Sequence, residues 1–212
     1  MDESFWHQKW ADNKIAFHNS QVNSLLVKYA GMLSLEKGDR VFVPLCGKTL
    51  DIGWLLSQGY RVAGAELSEV AINQLFAELG LKPEIVKHGE IVRYSTDELD
   101  VFVGNIFDLA GERLGKVDAI YDRAALVALP EKMRDRYTAH LMNITNKAPQ
   151  LLICFEYDQS LMAGPPHAIS REEIHRHYED SYVLTLAESK QIPGGLKGEC
   201  PATKNVWILQ GK

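Results

Sequence analysis

Short apolar runs alternate with helical segments through the middle of the chain, and this alternation limits the fold more than any other feature. Such runs suit buried strands, and amphipathic stretches between them suit helices packed on a sheet. Strands that alternate with helices form βαβ units and a mostly parallel sheet, so the sequence predicts a doubly wound α/β fold. The predicted strands are residues 40–45, 61–65, 99–103, 117–121 and 150–155, and the predicted helices are 51–57, 130–144 and one capped by Ser68 and ended by Gly80.

The C-terminal part of the chain departs from this alternation. Residues 182–187 and 205–210 have the composition of strands, but no helix separates them. Their connection, residues 188–204, is long and rich in Gly and Pro. Two such strands favour an antiparallel hairpin at one edge of a parallel sheet. The prediction is therefore a mostly parallel sheet of seven strands with an antiparallel C-terminal hairpin.

Helical segments precede the first predicted strand. Residues 4–33 contain two stretches with apolar side chains at helical spacing, and Asn19 or Ser20 is placed to cap the second. The 212 residues contain no repeat and no Ser/Gly-rich linker, and a chain of this length can build one core. We expect a single domain over residues 1–212, within which residues 1–33 form an N-terminal helical lid.

Three large aromatic residues, Trp6, Trp10 and Phe17, lie in the predicted lid. Trp6 and Trp10 are four residues apart, so they share one face of a helix. Such a pair usually packs in a core. A lid across the ligand end of a sheet could instead use these rings to enclose a flat heterocycle or to face a cation. Core packing is the commoner role, and the sequence leaves both open.

The charge balance and the cysteines exclude several classes of protein. The 23 Lys and Arg against 28 Asp and Glu give a net charge of −5, which argues against binding nucleic acid by neutralising phosphates. No apolar run approaches the roughly 20 residues of a transmembrane helix, and no signal-peptide pattern is visible. Cys46, Cys154 and Cys200 are typical of reduced thiols. We expect a cytoplasmic protein, monomeric by default, that acts on a small molecule.

Glu66 follows the second predicted strand, about 20 residues beyond Leu45 at the end of the first. Ligands of open α/β sheets bind beyond the carboxyl ends of the strands, and an acidic residue at this spacing holds a ribose diol in dinucleotide-binding folds. A carboxylate has two acceptor oxygens and can accept from both hydroxyls of a diol. The alternative is a solvated surface glutamate at a strand end.

The first strand-to-helix turn does not suit a phosphate. The Gly47-Lys48-Thr49 tripeptide resembles the end of a P-loop, but Phe42 stands where that motif requires its first Gly. The dinucleotide fingerprint is also absent, because Gly47 is the only glycine between Gly38 and Gly53. An adenosyl ligand without phosphates needs no such cradle. S-adenosylmethionine therefore fits the pattern better than NAD or ATP.

Metal and hydrolytic motifs are not found in the sequence. It contains no H-E-x-x-H, no C-x-x-C and no G-x-S-x-G. His175 and His177 are two residues apart, so they do not share a helix face. We expect no metal site.

Six ordered motifs resemble the thiopurine S-methyltransferase family, and a Gly-Pro-Pro sequence falls where that family has such a turn. The resemblance extends in order from about Phe5 to Pro166 and on through the C-terminus, and it is weakest over residues 188–204. It implies a class I methyltransferase fold, with a seven-stranded sheet whose last strand is antiparallel, and S-adenosylmethionine as the methyl donor. The motifs are residues 5–10, 15–18, 43–48, 64–68, 105–108 and 121–128, followed by 164–166.

The resemblance also implies roles for individual residues in binding the cofactor. Trp10 and Leu45 would line the cofactor site, and Glu66 would bind the ribose hydroxyls. Ile106, together with its neighbour Asn105, would lie beside the adenine.

Two further residues would lie near the reacting end, again by resemblance. Arg123 would contact the cofactor or the acceptor, and Phe17 would sit against the ring of the substrate. An ion pair with Asp122 or Asp108 is the alternative role for Arg123. Cys46 is not assigned as a nucleophile, because a small buried residue is the commoner role for a cysteine there.

The resulting hypothesis is an S-adenosylmethionine-dependent S-methyltransferase that acts on thiopurine-like aromatic or heterocyclic thiols. One alternative keeps this cofactor but uses halides, small thiols or selenium and tellurium compounds as acceptors. A second is a non-catalytic domain that binds S-adenosylmethionine. A third, an NAD-dependent oxidoreductase, is disfavoured by the missing glycines.

Overall fold

A nine-stranded mixed sheet forms the centre of the computed structural model, which describes residues 3–15 and 18–212. Its order is β3-β4-β5-β2-β1-β6-β7-β9-β8. The five strands from β5 to β7 are parallel, whereas β3, β4, β8 and β9 pair only with antiparallel neighbours. The strands are β1 (Arg40–Pro44), β2 (Arg61–Glu66), β3 (Glu84–His88), β4 (Ile91–Ser95), β5 (Leu99–Val103), β6 (Ala119–Arg123), β7 (Gln150–Tyr157), β8 (Tyr182–Gln191) and β9 (Ala202–Gly211).

Helices connect these strands and precede the first of them. None of the helices in the described residues is long and apolar enough to cross a membrane. Over the same residues the helices are α1 (Glu3–Ala11), α2 (Ser24–Tyr29), α3 (Leu50–Ser57), α4 (Glu69–Leu79), α5 (Gly111–Leu114), α6 (Glu131–Ile144) and α7 (Arg171–Tyr178), with 3-10 turns at Ala30–Leu33, Ile106–Asp108 and Leu126–Ala128.

Helices cover both faces of the sheet, as expected for a doubly wound fold. Successive residues of a strand point to opposite faces, and β1 shows this directly. Val41 and Val43 belong to a core cluster with α2, α3 and α4, whereas Phe42 belongs to a second cluster with α6 and α7. Because both faces are covered, the strands appear in the sequence as continuous apolar runs.

The prediction of seven strands is corrected to nine. All seven predicted runs form strands, and the C-terminal hairpin pairs β8 with β9 as expected. The β3–β4 hairpin, which adds two strands beyond β5, was not predicted from the sequence. Every residue of β3 is exposed, including Ile85 and Val86. An edge strand without a buried face lacks the alternation of apolar and polar residues on which strand prediction depends.

The start of α2 also differs from the prediction. Its cap is Asn23, and neither Asn19 nor Ser20 has this role. The Asn23 side chain accepts a hydrogen bond from the Leu25 N–H, at 3.0 Å. The Asn23 N–H itself donates to Asp51, so tertiary contact selects this residue as the start of the helix.

Candidate active site

A cavity of about 860 Å³ lies at the carboxyl ends of the parallel strands. Residues at the ends of β1, β2, β6 and β7 form its floor. The helix α1 and residues 18–24 form one wall, and residues 164–166 and 196–197 contribute to another. Ligands of doubly wound sheets bind at this edge. The cavity is therefore the candidate active site.

Two adjacent strands end in residues with left-handed backbone at the cavity. Leu45 has φ 46° after β1, and Ala124 has φ 70° after β6. A residue with a Cβ rarely adopts this conformation, which costs on the order of 1–3 kcal/mol. Both residues line the cavity. Strained backbone of this kind clusters at functional sites, where the surrounding structure holds it in place.

Trp10 of α1 packs directly over the first strand-to-helix turn. Its side chain is 4% exposed. A Cβ on Gly47 would lie 2.9 Å from Cζ2 of the indole, so only glycine allows this approach. Trp10 also lines the cavity. The two roles left open by the sequence, core packing and a position at the ligand site, are thus both compatible with this one side chain.

Glu66 lies at the end of β2 with its carboxylate in the cavity wall. The residue is 7% exposed, which excludes a solvated surface glutamate. One oxygen accepts the Gly47 N–H at 2.8 Å, and the other accepts the Ser68 N–H at 2.9 Å. Burial raises the pKa of Glu66, while these two N–H groups act in the opposite direction. Each oxygen keeps acceptor capacity for a further donor.

Arg123 ends β6 and lines the cavity. The structure does not contain the ion pair that was the alternative role for this residue: among the described residues, neither Asp122 nor Asp108 pairs with it. Asp122 is buried and accepts from the Tyr137 hydroxyl at 2.7 Å and from the Leu126 N–H at 3.1 Å. The guanidinium of Arg123 is therefore available to a ligand.

Comparison with known proteins agrees with this geometry. The family model described as thiopurine S-methyltransferase matches residues 1–199. The chain belongs to the thiopurine S-methyltransferase family. A protein of that name from Xanthobacter autotrophicus is 52% identical over 211 residues and covers 99% of each chain. One from Gluconobacter oxydans is 45% identical, over 96% of this chain and 92% of the relative. Membership makes this chain a methyltransferase with S-adenosylmethionine as methyl donor.

Solved structures show the same fold at low sequence identity. The 1,6-didemethyltoxoflavin-N1-methyltransferase of Burkholderia thailandensis has a TM-score of 0.65 and 14% identity, over 98% of this chain and 87% of that one. The magnesium protoporphyrin IX methyltransferase of Synechocystis PCC 6803 has a TM-score of 0.64 and 13% identity, over 100% and 98%. These similarities concern the fold alone, which is the class I methyltransferase fold.

The family resemblance also assigned roles to Leu45, Ile106 and Phe17. Leu45 lines the cavity with Trp10, Glu66 and Arg123. Ile106 is buried in the core and is not among the described residues that line the cavity, although it follows β5 at the same edge of the sheet. Phe17 lies outside the described residues, so its predicted contact with substrate stays a prediction.

Asp51 and Tyr121 line the cavity, although the sequence did not predict either as a site residue. The Tyr121 hydroxyl donates to Asp51 Oδ2 at 2.9 Å, and the Asn23 N–H donates to Asp51 Oδ1 at 2.8 Å. Burial and the Asp51 carboxylate raise the pKa of Tyr121. An acidic residue in the first turn of a helix is common, since it interacts favourably with the helix dipole. The position of Asp51 in the first turn of α3 therefore did not indicate from the sequence that it lines a cavity.

Two basic side chains of the cavity, Lys197 and Lys204, were not predicted from the sequence. Lys197, in the connection between β8 and β9, donates to the Pro165 carbonyl at 2.8 Å. Lys204 of β9 lies 5.9 Å from the centroid of the Phe155 ring. Both lysines line the cavity together with Gly164, Pro165 and Pro166. Both lie within residues 188–204, where the family resemblance is weakest.

The cysteine in the first turn is chemically inert as a thiol. Cys46 is buried, and burial together with the Glu66 charge raises its pKa well above the ordinary value. A protonated thiol is a poor nucleophile. Within residues 3–15 and 18–212, no group of three His, Cys, Asp or Glu side chains is arranged to hold a metal ion.

Proposed function

We propose that this chain transfers the methyl group of S-adenosylmethionine to the sulfur of thiopurine-like aromatic or heterocyclic thiols, with Glu66 as the ribose-binding residue. Family membership supports the reaction. The buried Glu66 carboxylate at the end of β2, facing a cavity without a phosphate cradle, is the observation that carries the assignment. A carboxylate held by two backbone N–H groups is preorganised to accept hydroxyl protons.

The remaining cofactor contacts extend along the carboxyl ends of the strands. Leu45 and Trp10 supply apolar surface against the adenosyl group, and Asn105 and Ile106 flank the adenine. Arg123 lies toward the reacting end. Neither Asn105 nor Ile106 is among the described residues that line the cavity, so their contact with the adenine requires a shift of the surrounding backbone or side chains.

The bound cofactor supplies an electrophilic methyl group on a sulfonium. The protein aligns the acceptor sulfur with that group and excludes water, which together account for most of the acceleration. Arg123, Lys197 and Lys204 give the acceptor side positive charge, which favours an anionic thiolate over a neutral thiol. An aromatic thiol ionises more readily than an alkyl thiol, so the proposed mechanism assigns no residue as general base.

Methyl transfer to a panel of acceptors tests this proposal. The protein is incubated with methyl-labelled S-adenosylmethionine and, separately, a thiopurine, thiophenol, an alkyl thiol, halides, and selenium or tellurium compounds. We expect the labelled methyl thioether from the first two acceptors. Turnover of only the other acceptors would show that the acceptor class is wrong. Cofactor binding by calorimetry without turnover of any acceptor would indicate a binding domain.

The proposal also includes the organisation and setting of the protein. Residues 1–212 would form one domain, in which residues 1–33 act as a lid. The protein would act as a cytoplasmic monomer without a nucleic-acid partner. The free, buried thiols of Cys46, Cys154 and Cys200 are consistent with a reducing compartment.

A further inference from the structure

The cavity has an uneven distribution of charge. Of the described lining residues, five are Lys and one is Arg123, whereas only Asp51 and Glu66 carry a carboxylate. S-adenosylmethionine brings two cationic groups, the sulfonium and the α-ammonium of its amino-acid end. With Glu66 assigned to the ribose, Asp51 is the one remaining anionic side chain among the described residues that line the cavity.

Asp51 is held by two hydrogen bonds and has no ion-pair partner among the described residues. It is 1% exposed, and its two oxygens accept from the Asn23 N–H and the Tyr121 hydroxyl. No Lys, Arg or His of the described residues forms an ion pair with it. A buried carboxylate without a cation is destabilising, and a ligand cation would relieve that cost. The carboxylate has about four acceptor positions, so two remain free.

The position of Asp51 suits the amino-acid end of the cofactor. Tyr121 and Arg123 are two residues apart on β6, so their side chains lie on the same face of the sheet. Asp51, bonded to Tyr121, therefore lies on the same side of the sheet as Arg123. β1 separates β6 from β2, where Glu66 lies. A ligand whose ribose binds Glu66 would reach Asp51 and Arg123 by extending across the end of β1.

We infer that Asp51 binds the α-ammonium of the cofactor, with Arg123 near the α-carboxylate. This inference rests on the proposed function, since it requires that the cavity hold S-adenosylmethionine with its ribose at Glu66. An acid and a base that do not pair with each other match a zwitterion. The attraction is weakly screened, because Asp51 is shielded from solvent.

Calorimetry with two ligands tests the inference without any readout of activity. The ligands are S-adenosylhomocysteine and its deaminated derivative, which lacks only the α-ammonium. We expect Asp51→Asn to weaken binding of S-adenosylhomocysteine by about tenfold to a hundredfold, the range of a charged hydrogen bond. Binding of the deaminated ligand should be the same in both proteins. The affinities of the two proteins for the two ligands form a thermodynamic cycle, which isolates the interaction of Asp51 with the α-ammonium.

Other outcomes separate this inference from the proposed function. An equal loss for both ligands would assign Asp51 a structural role and overturn the inference, as would no loss for either. Wild-type protein that binds both ligands with the same affinity would also overturn it, and this measurement needs no variant. The matched variant Glu66→Gln should weaken both ligands. Wild-type protein that binds neither ligand would contradict the proposed function itself.

Discussion

At the end of β2, the carboxylate of Glu66 connects three parts of the site. It accepts from the β1–α3 turn through Gly47 and from the cap of α4 through Ser68, and it faces the cavity. The same side chain therefore fixes the backbone of the site and presents acceptor oxygens to a ligand. Burial makes those interactions stronger than they would be in solvent.

Glu66→Gln weakens both of these interactions, because each carboxylate oxygen accepts one of the two backbone N–H groups. The amide keeps an acceptor oxygen for one backbone N–H but loses the charge and the second acceptor. We expect cofactor binding to weaken by about 1–3 kcal/mol, measured by calorimetry with S-adenosylhomocysteine. The control is Glu78→Gln, which removes an exposed carboxylate that pairs with Lys48. Unchanged affinity in Glu66→Gln would show that Glu66 does not hold the ribose.

Gly47→Ala tests the approach of Trp10 to the turn. The added Cβ would lie 2.9 Å from the indole, so the ring must move, and cofactor affinity should fall by about tenfold or more. Gly80→Ala is the matched control. Gly80 has a similar φ of +67°, but an added Cβ there meets nothing within 4 Å. In thermal melts, both variants should lose about 1 kcal/mol of stability because of backbone strain. In calorimetry, only Gly47→Ala should lose affinity for the cofactor.

At the scale of elements, α1 is joined to the sheet by few contacts. Trp10 is its only buried residue, and Glu3 accepts from the Asn105 side chain at 2.7 Å. The helix thus covers the cavity without contributing much to the core. This arrangement supports the proposed lid role for α1, whereas Leu26, Ala30 and Leu33 later in the same segment belong to the core.

Deletion of residues 1–11 should leave a folded protein that no longer binds its cofactor. The core clusters on both faces of the sheet contain no residue of α1, so circular dichroism and a cooperative thermal transition should persist. Calorimetry should detect no S-adenosylhomocysteine binding. Full-length Trp10→Ala should reproduce most of this loss of affinity. A deletion variant that binds normally would exclude α1 from the cofactor site.

At the scale of the whole molecule, Asp122 makes stability depend on pH. It is buried beneath α6, where burial raises its pKa from 3.8 to about 6 in spite of the Tyr137 and Leu126 hydrogen bonds. The folded protein therefore holds this proton more tightly than the unfolded chain does. Its contribution to stability is complete below about pH 4 and is lost as the pH rises to about 6.

Asp122→Asn should remove this dependence. Urea unfolding of both proteins between pH 4 and 7 gives the difference in their free energies of unfolding. As the pH rises from about 4 to 6, the wild type should lose roughly 3 kcal/mol of stability relative to Asp122→Asn. Above about pH 6 the difference should stay constant. A difference that is constant with pH would contradict the raised pKa. The absolute stability of the variant does not affect the test, because only the change with pH is compared.

The sequence alone determined the strands with two buried faces, the helices between them and the chemical type of the ligand site. Apolar runs such as that of β1 are dictated by burial, and the spacing from Leu45 to Glu66 follows from the βαβ unit. These features depend on neighbouring residues or on a fixed period, so they can be predicted from a single sequence.

Only the tertiary structure decided which side chains meet. The pairing of Asp51 with Tyr121, the approach of Trp10 to Gly47 and the position of Lys204 each join segments far apart in sequence. The β3–β4 hairpin is likewise selected by pairing with β5 and not by an apolar pattern of its own. Contacts between distant segments depend on how the elements pack, and no periodicity of the sequence encodes them.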